Sequence, residues 1–412
     1  MADRHVDFLL IGGGVASATA AKTLREEGAT GSITIVSREI DPPYHRPPAT
    51  KGYLQGAESK DDALVHPADW YAENDVELLS RVSVMGLDTD AHTATLSNKQ
   101  TLSYGKALIA TGAMVRRLGG VDGAQLDGIH YVRALGNSDA IRRDVEDVDR
   151  VVCIGGSYIG CEVAASLTAL GKRVAIVLQE AEPLSGGFGL RAGVFFRDVL
   201  ERHGVEIFGS DEIEAFLGDG DADDARVRAV TTRNGRELAA GAVVCGVGAT
   251  PDVMLARKAG LALGEAGGVL CDARLKTSAD DVYAAGDMCE YDSVVHGHAL
   301  RIEHEDVAMT QGATAARNML GQDVPYDTVP YFFSDLADWT SLEYVGPARS
   351  WNEELVVGSI PDGRFTIYYV DSGIVRGALT VGGHDDLERA RQLIRSGERV
   401  SAGDLGAESY PA

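Results

Sequence analysis

Phe8-Leu9-Leu10-Ile11-Gly12-Gly13-Gly14-Val15-Ala16-Ser17 is the stretch whose reading decides the fold. Its four leading apolar residues read as a buried strand, and the Ala-rich run from Ala16 to Leu24 has helical apolar spacing. A strand, a glycine turn and a small-residue helix make a βα unit, and the strand-like Ser32–Ser37 completes β-α-β. The design recurs at Val151-Val152-Cys153-Ile154, followed by Gly155-Gly156, an apolar-periodic segment from Ile159 to Leu170, and Arg173–Leu178. Two such units predict two separate nucleotide-binding folds. A third segment, Asp281-Val282-Tyr283-Ala284-Ala285-Gly286-Asp287, reads as a strand ending in a Gly-Asp turn.

After Gly321 the texture changes. Pro325 to Val345 is aromatic and hairpin-like, strands are expected at Leu355–Ser359, Phe365–Tyr369 and Gly373–Thr380, and a last helix from about His384 to Arg395. The tail from Ser401 to Ala412 has no periodicity and is expected to be loose. The fold class is therefore α/β: two Rossmann-like nucleotide-binding domains plus a small α+β C-terminal domain. The expected bounds are 1–118 with 251–324 for the first, 119–250 for the second and 325–412 for the third.

Composition narrows the function classes. No apolar run approaches the ~20 residues that span a bilayer, and the start of the chain carries no apolar leader pattern, so a cytoplasmic location is expected. The net charge of −24 argues against nucleic acid and anionic membranes as partners. Five cysteines, Cys153, Cys161, Cys245, Cys271 and Cys289, show no CxxC or CxxxxC spacing and no metal-ligand spacing with His. They read as buried small hydrophobes, and no metal site is expected.

The glycine loops carry the chemistry. Such a loop lets backbone N–H groups and a helix N-terminus meet a pyrophosphate. The first reads Gly12-x-Gly14-x-x-Ser17, with a third residue still small enough for close helix–strand packing. The acidic partner for a ribose hydroxyl is expected after the second strand; Arg38 takes the first slot and Glu39 the next. The second loop reads Gly155-Gly156-Ser157-Tyr158-Ile159-Gly160, and Ser157 replaces the glycine that lets backbone approach the pyrophosphate. Glu180 ends the second strand there; with no Arg cluster to receive a 2′-phosphate, this favours NADH over NADPH.

The chain resembles the FAD/NAD(P)-linked reductases of the glutathione-reductase superfamily, and within it the oxygenase-coupled ferredoxin and rubredoxin reductases and apoptosis-inducing factor. The resemblance spans roughly residues 6 to 396. Besides the two glycine loops it rests on Pro43-Tyr44-His45-Arg46-Pro47-Pro48-Ala49-Thr50-Lys51, Leu108-Ile109-Ala110-Thr111-Gly112, Gly248-Ala249-Thr250-Pro251, Val282 to Asp287, Glu303-His304-Glu305-Asp306 and Pro330-Tyr331-Phe332-Phe333-Ser334-Asp335.

The resemblance implies two cofactor sites and a role for each of their residues. FAD is held by Gly12, Gly14, Val15, Ala16, Glu39, Arg46, Val82, Ala110, Thr111, Gly112, Gly286 and Asp287. Asp287 accepts hydrogen bonds from ribitol hydroxyls, and Arg46 meets the pyrophosphate. NAD is held by Gly155, Ser157, Tyr158, Ile159, Glu162, Glu180 and Gly248. Lys51 and Glu162 resemble the family's buried ion pair beside the flavin ring, or form a salt bridge of structural value only. Tyr158 is either an aromatic gate over the flavin face or a packed aromatic. Glu303 and His304 match positions near the nicotinamide; His304 read alone is a surface histidine at a helix start. Phe333 stands where the family often has Trp against the flavin, or is core.

The function implied is an FAD enzyme that takes hydride from NADH and passes electrons to a ferredoxin or rubredoxin, as monomer or homodimer. A dithiol mechanism lacks its cysteines, since the first-domain position reads Arg46-Pro-Pro-Ala-Thr-Lys51. The alternative is an apoptosis-inducing-factor-like NADH-binding flavoprotein, turning over slowly and acting as a redox-sensing switch. An acidic carrier would need a basic patch on this acidic chain, for which Arg116, Arg117, Arg142 and Arg143 are the expectation.

Overall fold

The computed structural model describes residues 2–220, 225–384 and 386–412. The chain forms two compact units. The first comprises Met1–His45, Asp61–Met114 and Thr250–Phe332; the second comprises Arg46–Lys60, Val115–Ala249 and Phe333–Ala412.

In the first unit the deciding stretch becomes strand Arg4–Ile11 and helix Val15–Glu26. The strand lies inside a seven-stranded sheet, in the order Val76–Leu79, Ile33–Val36, Arg4–Ile11, Thr101–Ile109, Thr93–Leu96, Val84–Asp88. Val282–Ala284 also pairs with Thr101–Ile109. The first four strands and Val282–Ala284 run parallel, Thr93–Leu96 pairs antiparallel with Thr101–Ile109, and Val84–Asp88 pairs antiparallel with Thr93–Leu96. Leu9 and Leu10 point to opposite faces and are both fully buried, as expected of a parallel strand covered on both sides. Each contributes roughly 2 kcal/mol by leaving water. Helices Val15–Glu26 and Glu305–Met319 pack against each other, and Gly312 permits the approach: a Cβ there would lie 2.3 Å from the Ala16 carbonyl oxygen.

Register decides where the chemistry sits. Ile11 pairs with Ile109, and Ala284 with Ile109, so three strands end together. Gly12, Ala110–Gly112 and Gly286–Asp287 therefore emerge at one carboxyl edge, where open α/β sheets bind ligands.

The second unit repeats the plan. Its five parallel strands run Glu206–Phe208, Arg173–Val177, Arg150–Ile154, Ala242–Cys245, Ile129–Tyr131. Val177, Ile154 and Cys245 are in register, which brings Glu180, the Gly155 loop and Gly248 to one edge. A three-stranded antiparallel sheet, Ile213–Gly218, Val227–Thr232 and Glu237–Ala239, is added to it. The C-terminal part is a six-stranded sheet in the order Tyr331–Leu336, Thr340–Val345, Ile374–Val381, Arg364–Asp371, Glu353–Ser359, Glu408–Pro411. Helix Leu387–Ser396 packs on Ile374–Val381. This helix starts at Leu387 rather than His384, and Asp385 lies outside the described residues.

The tail corrects the expectation of a loose end. Ser401 opens a short helix, Ala402–Leu405, through a capping box with Asp404, and Glu408–Pro411 pairs antiparallel with Glu353–Val356. The pairing is made by backbone groups, so side-chain periodicity could not announce it. All five cysteines are buried and free. Among the described residues no helix is long and apolar enough to cross a membrane.

Candidate functional site: two glycine loops and a buried ion pair

The two loops have the same local geometry. Gly12 has φ 126°, and a Cβ there would lie 2.1 Å from the Ala110 carbonyl oxygen. Gly155 has φ 104°, and its Cβ would lie 2.3 Å from the Gly246 carbonyl oxygen. Only glycine fits either position. Gly14 differs, with no atom within 4 Å of its would-be Cβ. Helix Val15–Glu26 begins there with no side chain capping its first N–H groups and no acid in its first turn. Helix Tyr158–Ala169 begins the same way after Ser157. Two uncapped helix N-termini beside open glycine turns fit the pyrophosphates of two dinucleotides. Exposed Ser157 takes the place that Gly14 leaves empty in the first loop.

Around the first loop, Val15 and Ala16 are buried at the helix start. Gly112 has φ 69°, and the Thr111 hydroxyl donates to the Asp252 carbonyl at 2.6 Å. The Val82 N–H donates to the Ser37 carbonyl at 2.9 Å. Arg38 is engaged by Asp252, at 3.1 Å. That leaves Glu39 as the acid after the second strand, and its carboxylate accepts from the Tyr44 hydroxyl at 2.5 Å. Gly286 has φ 85° and donates its N–H to Gln311 Oε1 at 2.8 Å. Arg301 Nη1 bridges the Asp287 carbonyl, 3.0 Å, and Glu303 Oε1, 2.5 Å.

His304 precedes helix Glu305–Met319. It is not the surface histidine that the sequence also allowed. Its ring centroid lies 4.4 Å from that of Phe332, and its Nδ1 is buried with no hydrogen-bond partner among the described residues. Burial pushes the imidazole down to about 4, against the opposing pull of the Asp287 charge, so it is neutral near pH 7. An orphaned ring nitrogen next to the Gly-Asp turn fits a bound polar group. His45 has the opposite setting: a 2.8 Å hydrogen bond to Glu305 raises it.

In the second unit, Arg46 donates to the Arg133 carbonyl at 2.8 Å. Lys51 Nζ lies 2.6 Å from Glu162 Oε1, and both side chains are largely buried. Glu162 also accepts from Thr50 Oγ1 and Ser334 Oγ, each at 2.5 Å. Phe333, 43% exposed, is not core; its ring lies 5.6 Å from Lys51 Nζ. Tyr158 packs edge-on against Phe188 with centroids 5.8 Å apart, and burial raises its hydroxyl. Ile159 is 37% exposed at the loop, Gly248 has φ 93°, and exposed Glu180 follows strand Arg173–Val177.

Sequence reasoning missed three residues of these sites. Thr50 and Ser334 lie inside recognised motifs, but nothing local shows that they meet Glu162. Asp252 binds Arg38 from 214 residues away. Gly160, read from the sequence as the end of the second loop, packs tightly there: a Cβ would lie 1.9 Å from the Gly155 carbonyl oxygen.

Comparison with known proteins is consistent across the chain. Residues 6–312 match the model of the pyridine nucleotide-disulphide oxidoreductases, and residues 331–411 match the reductase C-terminal model. The chain is 32% identical, over 99% of its length and 97% of the relative's, to the ferredoxin reductase subunit of 5,5'-dehydrodivanillate O-demethylase from a Sphingobium species. It is 33% identical to the ferredoxin–NAD(+) reductase component of the biphenyl dioxygenase system of Paraburkholderia xenovorans, over 96% of its own length and 95% of the relative's. Among solved structures it is similar to the reductase in the covalent putidaredoxin reductase–putidaredoxin complex, with TM-score 0.91, 28% identity, and 99% and 97% of the two chains covered.

Proposed function

The chain belongs to the pyridine nucleotide-disulphide oxidoreductase family, and on that premise we propose that it is an NADH-dependent flavoprotein reductase delivering electrons to a small ferredoxin. The observation that carries this is the pair of matched glycine loops, each beside an uncapped helix N-terminus, which accounts for two dinucleotides in one chain. FAD, when bound, supplies the chemistry, accepting hydride and releasing electrons singly. The sequence has neither dithiol spacing that would keep electrons within the chain, so they leave to a separate carrier. Relatives that are ferredoxin reductase components support a ferredoxin as that carrier, with rubredoxin as the second choice.

The chain's own residues orient and polarise. The Gly12 loop, Glu39, Ala110–Gly112 and Asp287 hold FAD, with Arg46 on its pyrophosphate; the Gly155 loop, Glu180 and Gly248 hold NADH. Lys51 brings a positive charge to the flavin ring, steadied by Glu162. Neutral His304 offers hydrogen bonding without adding charge. In domain terms, 1–118 with 251–324 serve FAD, 119–250 serve NAD, and 325–412 form the C-terminal domain. Exposed Glu180 supports NADH over NADPH, because a carboxylate repels a 2′-phosphate. Five unpaired cysteines suit the reducing cytoplasm, and the working particle is a monomer or homodimer.

Stopped-flow mixing of the FAD-loaded protein with NADH, then with ferredoxin, tests the proposal. Fast flavin bleaching followed by ferredoxin-dependent reoxidation is expected, with NADPH at least about ten-fold less effective in kcat/KM. A long-lived reduced complex with negligible turnover against ferredoxin would replace the reductase with a redox-sensing switch.

A further inference from the structure

We propose that Thr50 and Ser334 are positioning residues for the Lys51–Glu162 pair, their hydroxyls fixing the carboxylate so that the Lys51 ammonium is held by it without being surrounded by it. The inference rests on the proposed role of that pair beside the flavin.

Glu162 lies in helix Tyr158–Ala169 and is only 5% exposed. A carboxylate taken from water needs its lone pairs answered, because burial without partners costs several kcal/mol. Here the answers are three groups from two parts of the second unit, the proline loop and the strand Tyr331–Leu336. Thr50 Oγ1 donates to Oε2 from the proline loop, and Ser334 Oγ donates to Oε1 from strand Tyr331–Leu336. Lys51 Nζ shares Oε1, at 2.6 Å. Thr50 and Ser334 are themselves buried, at 3% and 1% exposure, so neither hydroxyl can exchange this partner for solvent.

The scaffold around them is made of hydroxyls as well. Ser166, one helical turn beyond Glu162, donates to the Thr50 carbonyl at 2.7 Å, and Ser138 donates to the Ala49 carbonyl at 2.6 Å. The proline loop is thereby fastened to two helices immediately before Lys51. The segment that supplies Ser334 also supplies Phe333, whose ring faces the ammonium, and half-buried Asp335, whose carboxyl burial pushes up.

An ammonium has three donors. A carboxylate with unanswered lone pairs would draw it into a two-oxygen contact and neutralise it. With Oε2 committed to Thr50 and Oε1 shared with Ser334, the contact is one-sided. Lys51 keeps donors and charge for what lies beyond Glu162.

The test uses the FAD-loaded protein. Two quantities are read: the midpoint potential of the bound flavin by spectroelectrochemistry, and the rate constant of its reduction by NADH in a single turnover. Ser334→Ala is expected to slow reduction about ten-fold, the lower end for one hydrogen bond to a charged group. It should leave the NADH dissociation constant unchanged and move the potential to more negative values, because a freed carboxylate screens Lys51 more fully. Ser334→Thr, which returns the hydroxyl, should restore both. Thr50→Val should act in the same direction and Thr50→Ser should rescue it, so the proposal stays testable if either alanine or valine variant loses FAD. Wild-type potential and rate in Ser334→Ala and Thr50→Val, with both altered in Glu162→Gln, would overturn the positioning role alone. If Glu162→Gln also changes neither, the flavin-facing assignment of the pair falls first, and the positioning role with it.

Discussion

Glu162 is buried and His304 half-buried with its Nδ1 out of reach of water, and the two are handled in opposite ways. Glu162 is met by an ammonium and two hydroxyls. His304 has an orphaned Nδ1 and stays uncharged. The second arrangement has a thermodynamic signature. Burial holds the folded His304 at about 4, below the ordinary 6.5 of a free histidine. Between those values the unfolded chain binds more protons than the folded one, so stability falls as pH drops through that window. Going from about pH 7 to about pH 5, His304 should cost the protein about 2 kcal/mol. His304→Asn, which cannot titrate, should lose correspondingly less in urea unfolding over the same range; equal losses in both proteins would contradict the assignment. At this scale the Lys51–Glu162 pairing was legible because the resemblance pairs the two motifs that carry them. Thr50 and Ser334 stand in motifs too, but nothing in those motifs points to a partner 112 and 172 residues away.

Helices and strands show where periodicity informs and where it stops. The βα units were legible because a buried parallel strand is continuously apolar and its glycine turn is chemically marked. Helix Ser185–Arg202 is marked less openly. It is broken at Gly189, where φ is 80° and ψ 168°, and a Cβ there would lie 2.5 Å from Glu354 Oε1. Glu354 is 4% exposed and tied to Arg191 and Trp351. Arg191 in turn stacks 3.7 Å over Tyr410 of the last strand. The tail is thus held by a strand pairing and a cation–π contact, neither of which a four-residue segment advertises in its own sequence. Gly189→Ala should therefore destabilise the protein by about 2 kcal/mol, combining a left-handed backbone with a clash against a buried carboxylate. Differential scanning calorimetry checks this, and an unchanged Tm would mean that the break is not required.

Charge is a property of the whole molecule, and it sets the condition under which an acidic carrier can approach. At net −24 the protein repels an acidic ferredoxin at long range. Association then depends on local exceptions. Arg116, Arg117, Arg142 and Arg143 are all exposed in the second unit, Arg117 lies 5.0 Å from the Tyr131 ring, and Arg142 and Arg143 close helix Leu135–Val145. The sequence could mark these arginines but not a partner, because a docking surface is a matter of which side chains face the same solvent. If they receive the carrier, their contribution is electrostatic and must weaken with salt. The double charge reversal Arg142→Glu with Arg143→Glu should lower kcat/KM for ferredoxin about ten-fold at low ionic strength and flatten its salt dependence. Reduction of ferricyanide by NADH should stay unchanged, since neither arginine belongs to the nucleotide sites. Ferredoxin turnover equal to wild type at low salt would remove these two residues from the docking surface and leave Arg116 and Arg117 as its remaining candidates.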